Sequence, residues 1–332
     1  MASARIGIAF TGGLTPPEIV ECVRLAEELG YESAWMTEGH GGDQFAILAA
    51  CAVATHRITL GTAISSVFVR TAPTIAMAAA TVDHLSGGRF ILGLGSSHRV
   101  QVEGEHGIPF VQPVQRLRET IEIVRALLHD GTVSFQGRVI GIERFDLWFT
   151  PGRREIPIYV AALFVPLLEA CGEMADGVIL TWSTLEAARR AAVPVTRGAR
   201  RAGRRPEGVE IVSLLPCYVA ASRAEARDQM RSSVALYAGF FPRYNRVLAE
   251  SGFPEAAQAI KRVWATGDRA AAARAVPDAL VEAVAVVGTP AECRTRIEEY
   301  RRAGLALPII SPRASGPTGK HMVMQALRAC AP

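Results

Sequence analysis

Short apolar runs alternate with amphipathic stretches from the start of the chain. Arg5–Phe10 (RIGIAF) reads as a strand, and Pro16–Leu29 as a helix with Thr15 as its cap, proline in its first turn and Gly30 closing it. Ser33–Thr37, Ile58–Ser65 and Phe90–Gly95 supply the next three strands, with helices over Gln44–Ala54 and Ala72–Leu85 between them. Pro113–Leu128 carries Val114, Leu117, Ile121, Val124 and Leu128 at helical spacing. Gly131–Phe149 alternates around glycines and predicts a small hairpin. Ile156–Ala161, Val178–Thr181 and Val209–Val219 are strands five to seven, separated by the helices Val165–Ala175 and Leu185–Ala202. Helical patterning dominates beyond Ser222, and residues 237–281, interrupted by Pro242, Pro254 and Pro277, predict a helical insertion. Val284–Val287, the helix Pro290–Ala303 and the strand Leu305–Ile310 complete the count, with a last helix after Gly319.

Alternation of this kind gives a parallel sheet with crossover helices. The strand count favours an α/β protein of the closed (β/α)8 TIM-barrel type over a doubly wound sheet. The expected organisation is a single domain over residues 1–332. Its length of 332 residues suits a barrel of roughly 250 residues carrying insertions. Barrel chemistry sits at the carboxyl ends of the strands, so Phe10–Gly13, Thr37–Asp43, Ala63–Arg70, Gly95–Gln101, Ala161–Phe164, Thr181–Ser183 and Tyr218 onward are the segments to inspect.

Composition narrows the function. Hydrophobic residues at 49% and charged residues at 20% provide for a large core and leave no segment compositionally disordered. The net charge of +4 comes from arginines spread over several helices, so no nucleic-acid surface is expected. Residues 1–5 run straight into the first strand without a secretory n-region and apolar stretch, and no apolar run approaches the ~20 residues of a membrane span. A cytoplasmic protein with a small-molecule substrate is expected, with no membrane or nucleic-acid partner. The six cysteines form no CxxC pair, which points to reduced, buried thiols and no metal.

Several strand ends carry residues suited to chemistry. Gly61 leaves a strand without a side chain, where a flat ring can approach the backbone. Gly95, Ser96 and Ser97 end the fourth strand with N–H groups and hydroxyls that suit a phosphate oxygen. Glu38 and His40 follow the second strand and His98 follows the serine pair; Glu38 and the two histidines are the candidate proton donors. Asp83, His84, Gly87, Gly88 and Arg89 are assigned to folding, as the cap and turn before strand four.

Four separated segments in order resemble one superfamily: LAEELGYESAWMTEGHGGDQFAILAACAVAT, RITLGTAISSVFVRTAPTIAMAAATVDHLSGGRFILGLGSS, PIYVAALFVPLLEACGEMADGVILTW and VVGTPAECRTRIEEYRRAGL. The chain resembles the luciferase-like monooxygenase and coenzyme F420-dependent oxidoreductase superfamily, in particular its methylenetetrahydromethanopterin reductase-like members. That resemblance implies a bulge with a non-proline cis peptide between Ala63 and Ile64, and a cofactor ring held by Gly61, Thr62, Ala63 and Ile64. It also implies phosphate or ribityl contacts at Gly95, Ser96 and Ser97, and a second tail site at Ala161, Ala162 and Leu163. There the chain departs from the usual small turn, because Leu163 and Phe164 add bulk. Trp182 is expected against the ring, with Ile64 and Val67. Glu38 matches the family's acidic position, whereas His40 stands one residue further along than in Asp-His relatives.

Glu103-Gly104-Glu105-His106-Gly107 resembles the deazaflavin-using branch, with Glu105 where relatives have an aromatic residue. The resemblance therefore implies hydride transfer between coenzyme F420 and a small organic substrate. Two alternatives remain open: an FMN-dependent monooxygenase fed by a separate reductase, and a non-catalytic flavin-binding barrel. A homodimer is expected, to which the apolar third helix is suited. Substrate contacts are expected from residues 237–281, including Phe240, Phe241, Tyr244 and Trp264.

Overall fold

The computed structural model describes residues 5–332. The chain opens with β1 (Gly7–Phe10), α1 (Pro16–Glu28), β2 (Ser33–Met36), α2 (Gln44–Ala54), β3 (Thr59–Thr62), β4 (Ser65–Ser66), α3 (Ala72–Ser86) and β5 (Phe90–Gly95). After α4 (Arg99–Gly104) and α5 (Pro113–Asp130), an antiparallel hairpin of β6 (Thr132–Gln136) and β7 (Gly141–Asp146) precedes β8 (Ile158–Ala161). Then come α6 (Val165–Met174), β9 (Gly177–Thr181), α7 (Leu185–Arg201) and β10 (Glu210–Val219). Helices α8 (Arg223–Phe240), α9 (Pro242–Glu250), α10 (Pro254–Ala265), α11 (Arg269–Arg274) and α12 (Asp278–Val284) follow in succession. β11 (Val286–Gly288), α13 (Pro290–Arg302), β12 (Leu307–Pro312) and α14 (Gly319–Cys330) complete the chain.

Eight parallel strands close into a barrel as expected: β1, β2, β3, β5, β8, β9, β10 and β12 pair in turn, and β12 returns to β1. The strands are buried on both faces, as parallel barrel strands must be. Their interior holds Trp35, Tyr159, Ile179, Val212, Leu214, Leu307 and Ile309. At the amino-terminal end Arg5 binds Glu32 at 2.7 Å and Glu210 at 2.8 Å, and the Tyr159 hydroxyl donates to Glu210 at 2.7 Å. That end is closed by charge pairs.

Two expectations need adjustment. The third strand is two pieces, β3 and β4. Val284 ends helix α12, and β11 adds itself only to the outer end of β10, from Cys217 to Val219, beyond the reach of β9. Helix begins at Arg223, in keeping with the helical patterning beyond Ser222. Helices α8–α12 enclose an apolar cluster of their own, including Met230, Val234, Leu248, Ile260, Leu280 and Val281, which meets the barrel through Trp182, Ala220 and Val287. Among the described residues no helix is long and apolar enough to cross a membrane.

The turn before β5 has the folding role read from the sequence. Asp83, almost wholly buried, accepts a bidentate pair from Arg153, and the same guanidinium reaches Phe90 O at 2.7 Å. Arg89 donates to the carbonyls of Ala52, Thr55 and Ile58, tying the end of α2 to the start of β3.

Candidate active site

The mouth of the barrel is organised around a break in one strand. Leu60 and Gly61 pair with Phe90 and Ile91, but Ser65 and Ser66 pair with Leu94 and Gly95. The β3–β4 side thus advances four residues while β5 advances three, which is a bulge of one residue. The Ala63–Ile64 peptide within it is cis, at the bond the resemblance indicated.

Missing side chains fix this bulge. A Cβ on Gly93 would collide with the Thr62 carbonyl, and one on Gly95 would lie 2.7 Å from Ile64 Cγ1. The Thr62 hydroxyl donates to Gly93 O and accepts from Gly93 N, both at 2.8 Å. Gly61 is covered by the Trp35 ring, and Thr62 is fully buried. Gly61 and Thr62, read from the sequence as cofactor contacts, lie beneath the ledge and support it. Ala63 and Ile64 belong to the barrel's interior cluster, Ile64 partly exposed, and form its upper layer.

The expected proton donors fare differently. Glu38 accepts from Ser66 N at 2.6 Å and from Arg70 Nε at 2.5 Å, while Arg70 Nη2 also binds Asp43. With its oxygens so committed, Glu38 braces the ends of β2 and β4. His98 lies against Phe241 and Tyr244, with ring centroids 4.4 and 5.1 Å away. Burial, and then the positive charge of Arg243, pull its pKa down to about 4. It is neutral at pH 7 and donates no excess proton. His40 is the most solvent-accessible of the three, and its Nε2 lies 3.0 Å from Glu105 Oε2, bridging the loops after β2 and β5.

Helices α8 and α9 roof the mouth with aromatic rings. Tyr237 lies 4.4 Å from Trp182 and 4.9 Å from Tyr244, and Phe241 fills the space between them and His98. Burial raises the Tyr237 and Tyr244 pKa values, so both phenols stay protonated. Trp182 (φ 52°) and Ser97 (φ 58°) are two of the three described non-glycine residues with left-handed backbone, and both stand just beyond barrel strands. Such positions concentrate at functional sites.

The two expected tail positions diverge. Ser96 Oγ accepts from Arg243 Nη1 at 3.2 Å, joining the end of β5 to α9. On the other side Ala162 is buried, its N–H bonded to Ile179 O at 3.2 Å; Leu163 packs into the helical cluster and Phe164 carries the Arg246 guanidinium 4.7 Å above its ring. Ala161 and Leu163, on either side of Ala162, are partly exposed. Sequence reasoning missed Tyr237 and Arg243. Arg243 and Ser96 are separated by 147 residues, and nothing in the local pattern distinguishes this arginine from its many neighbours. Among the described residues no group of histidine, cysteine, aspartate or glutamate side chains is arranged to hold a metal.

The family model described as luciferase-like monooxygenase matches residues 1–307. The chain belongs to that family. Among its luciferase-like relatives, a 5,10-methylenetetrahydromethanopterin reductase of Archaeoglobus fulgidus is 28% identical, covering 96% of each chain. The enzyme of the same name from Methanolobus tindarius is 30% identical, again covering 96% of each. A putative coenzyme F420-dependent oxidoreductase of Mycobacterium tuberculosis is 28% identical, covering 93% of this chain and 95% of the relative. In three dimensions the chain superposes on the coenzyme F420-dependent tetrahydromethanopterin reductase of Methanopyrus kandleri with a TM-score of 0.87 at 25% identity, over 99% of this chain and 98% of the other. The fold also matches the oxygenating constituent of 3,6-diketocamphane monooxygenase from Pseudomonas putida, in complex with FMN, with a TM-score of 0.71 at 16% identity, over 99% and 97% of the two chains.

Proposed function

We propose that this chain is an oxidoreductase that transfers a hydride between coenzyme F420 and a small organic substrate. The observation that carries the reading is the bulged ledge at Ala63–Ile64, with Ile64 seated in the space that Gly95 leaves open. Relatives named as F420-dependent, matched over nearly the whole chain, support the choice of cofactor.

The residues present fit such a group. Ile64 and Ala63 offer an apolar shelf, Trp182 an aromatic wall, and Ser96 a polar end for a phosphate-bearing tail. When bound, a deazaflavin supplies a two-electron hydride, because carbon replaces the flavin nitrogen that supports radical and oxygen chemistry. The protein's own contribution is orientation and exclusion of water. Phe241, Tyr237 and Tyr244 close the roof, and the Glu38–Arg70 brace keeps the rim of β4 in place. Proton traffic falls to His40, which stands exposed at the rim against Glu105, while Glu38 is committed and His98 is neutral. The same reading carries a homodimer through α2 and α3, whose outer faces expose Val53, Met77 and Leu85, and light scattering tests it.

Oxygen consumption tests the chemistry. Mixing the protein with reduced coenzyme F420 or reduced FMN under air is expected to give no protein-dependent oxygen uptake. Protein-dependent uptake with reduced FMN overturns the reading in favour of a monooxygenase.

A further inference from the structure

Arg243 is a cation held without a counter-charge. Its guanidinium is half-buried under α9, and its one hydrogen bond goes to a neutral acceptor, Ser96 Oγ. Among the described residues no carboxylate pairs with it; the nearest charged neighbour, Arg99, repels it, and burial with that repulsion lowers its pKa. A desolvated charge without a partner is costly unless something supplies the missing anion.

The surroundings are built for charge. Phe68 and Phe110 stack with centroids 4.6 Å apart, and both Arg243 and Arg99 lie over Phe110, at 5.2 and 5.0 Å. On the far side Arg116 lies 4.9 Å over Phe68 with its Nε buried and unbonded. Three guanidinium groups thus flank one aromatic pair, and Glu103, bound to Arg99, is the only carboxylate paired with any of them among the described residues. Guanidinium groups held against rings keep their N–H forks free for oxyanions. The Ser96 hydroxyl stands at the same spot, its own hydrogen directed only to Ser97 O at 3.4 Å.

We propose that Arg243, with Ser96 and Arg99, forms an oxyanion site at the seam between β5 and the helical roof, taking a phosphate or carboxylate of the cofactor's tail. The inference rests on the hydride-transfer reading for its ligand and goes beyond it in assigning Arg243. Because α9 carries the arginine and the turn after β5 the serine, an anion bound there fastens the roof to the barrel. Binding and closure of the mouth are then one event.

The test compares wild type with Arg243→Gln and Arg243→Lys, by ring fluorescence, against intact coenzyme F420 and the same deazaflavin truncated at its ribityl chain. Thermal unfolding with and without inorganic phosphate is the second readout. Arg243→Gln is expected to weaken the intact cofactor by about tenfold or more, leave the truncated ring unchanged, and abolish stabilisation by phosphate. Arg243→Lys recovers part of each. Without any anion, Arg243→Gln unfolds no more readily than wild type, which separates this role from a structural one. If both deazaflavins bind the variant as well as wild type while phosphate protects only wild type, the site stands and its anion belongs to the substrate. Unchanged cofactor affinity together with an unchanged phosphate response overturns the proposal. Failure of wild type to bind either deazaflavin defeats the hydride-transfer reading instead, and the phosphate response alone then decides the site.

Discussion

The ledge and the roof of this barrel are made by opposite means. At the ledge the geometry comes from what is absent: Gly93 and Gly95 let Thr62 and Ile64 approach, and Thr62 is hydrogen-bonded by Gly93 and Glu38 by Ser66 and Arg70. In the roof the geometry comes from bulk. Trp182, Tyr237, Phe241 and Tyr244 crowd His98, and Arg243 remains without a carboxylate. A ledge held by close backbone packing at Gly93 and Gly95 has one conformation and suits a fixed ring. Unfulfilled groups on helices packed over it suit the variable part of a reaction, the substrate and the closing of the site.

Breaking the ledge has the largest expected effect. Gly93→Ala places a methyl against the Thr62 carbonyl, which belongs to the backbone and cannot step aside, so a loss of about 3 kcal/mol or more is expected in denaturant unfolding. A loss below about 1 kcal/mol contradicts a rigid ledge. Glu38→Ala leaves Arg70 and Ser66 N–H without their acceptor on a mostly buried rim, and is expected to cost about 2–4 kcal/mol. Were Glu38 a proton donor and no brace, the variant would lose turnover with its stability intact.

The roof is expected to fail with acid. Burial lowers the His98 pKa from 6.5 to about 4, so between these values the unfolded chain takes up a proton that the folded chain refuses. Its stabilising contribution is full above pH 6.5 and declines as the pH falls towards 4, by about 2–3 kcal/mol. His98→Gln should remove that part of the pH dependence. Identical pH profiles for the two proteins contradict a buried, neutral imidazole. His40→Gln has the smallest effect on folding, within about 1 kcal/mol, because its contact with Glu105 is exposed. Its turnover is expected to fall while cofactor affinity holds, and unchanged turnover removes His40 from the proton path.

The same contrast explains what could be read from the sequence. Strand and helix bounds agree with the residue pattern to within a few positions because parallel strands are apolar on both faces and caps such as Thr15 with Glu18 mark the helix starts. The break after Thr62 is invisible in that pattern: Ile58–Ser65 reads as one run, and its division depends on the space beside Gly95, some thirty residues later. Glu38 was recognisable as an acid at a strand end. Its partner Arg70 lies 32 residues away, so its commitment was not. The roof was legible only as helix, since the meeting of Arg243 with Ser96 and of Tyr237 with Trp182 is tertiary.

Equilibrium titration of the purified protein with coenzyme F420 and with FMN, followed by fluorescence of each ring, tests most directly whether this ledge serves a deazaflavin. Coenzyme F420 is expected to bind at least about tenfold more tightly than FMN, and to lose that affinity in Gly95→Ala, where the added methyl displaces Ile64. Tighter binding of FMN, or coenzyme F420 affinity indifferent to the change at Gly95, contradicts the account.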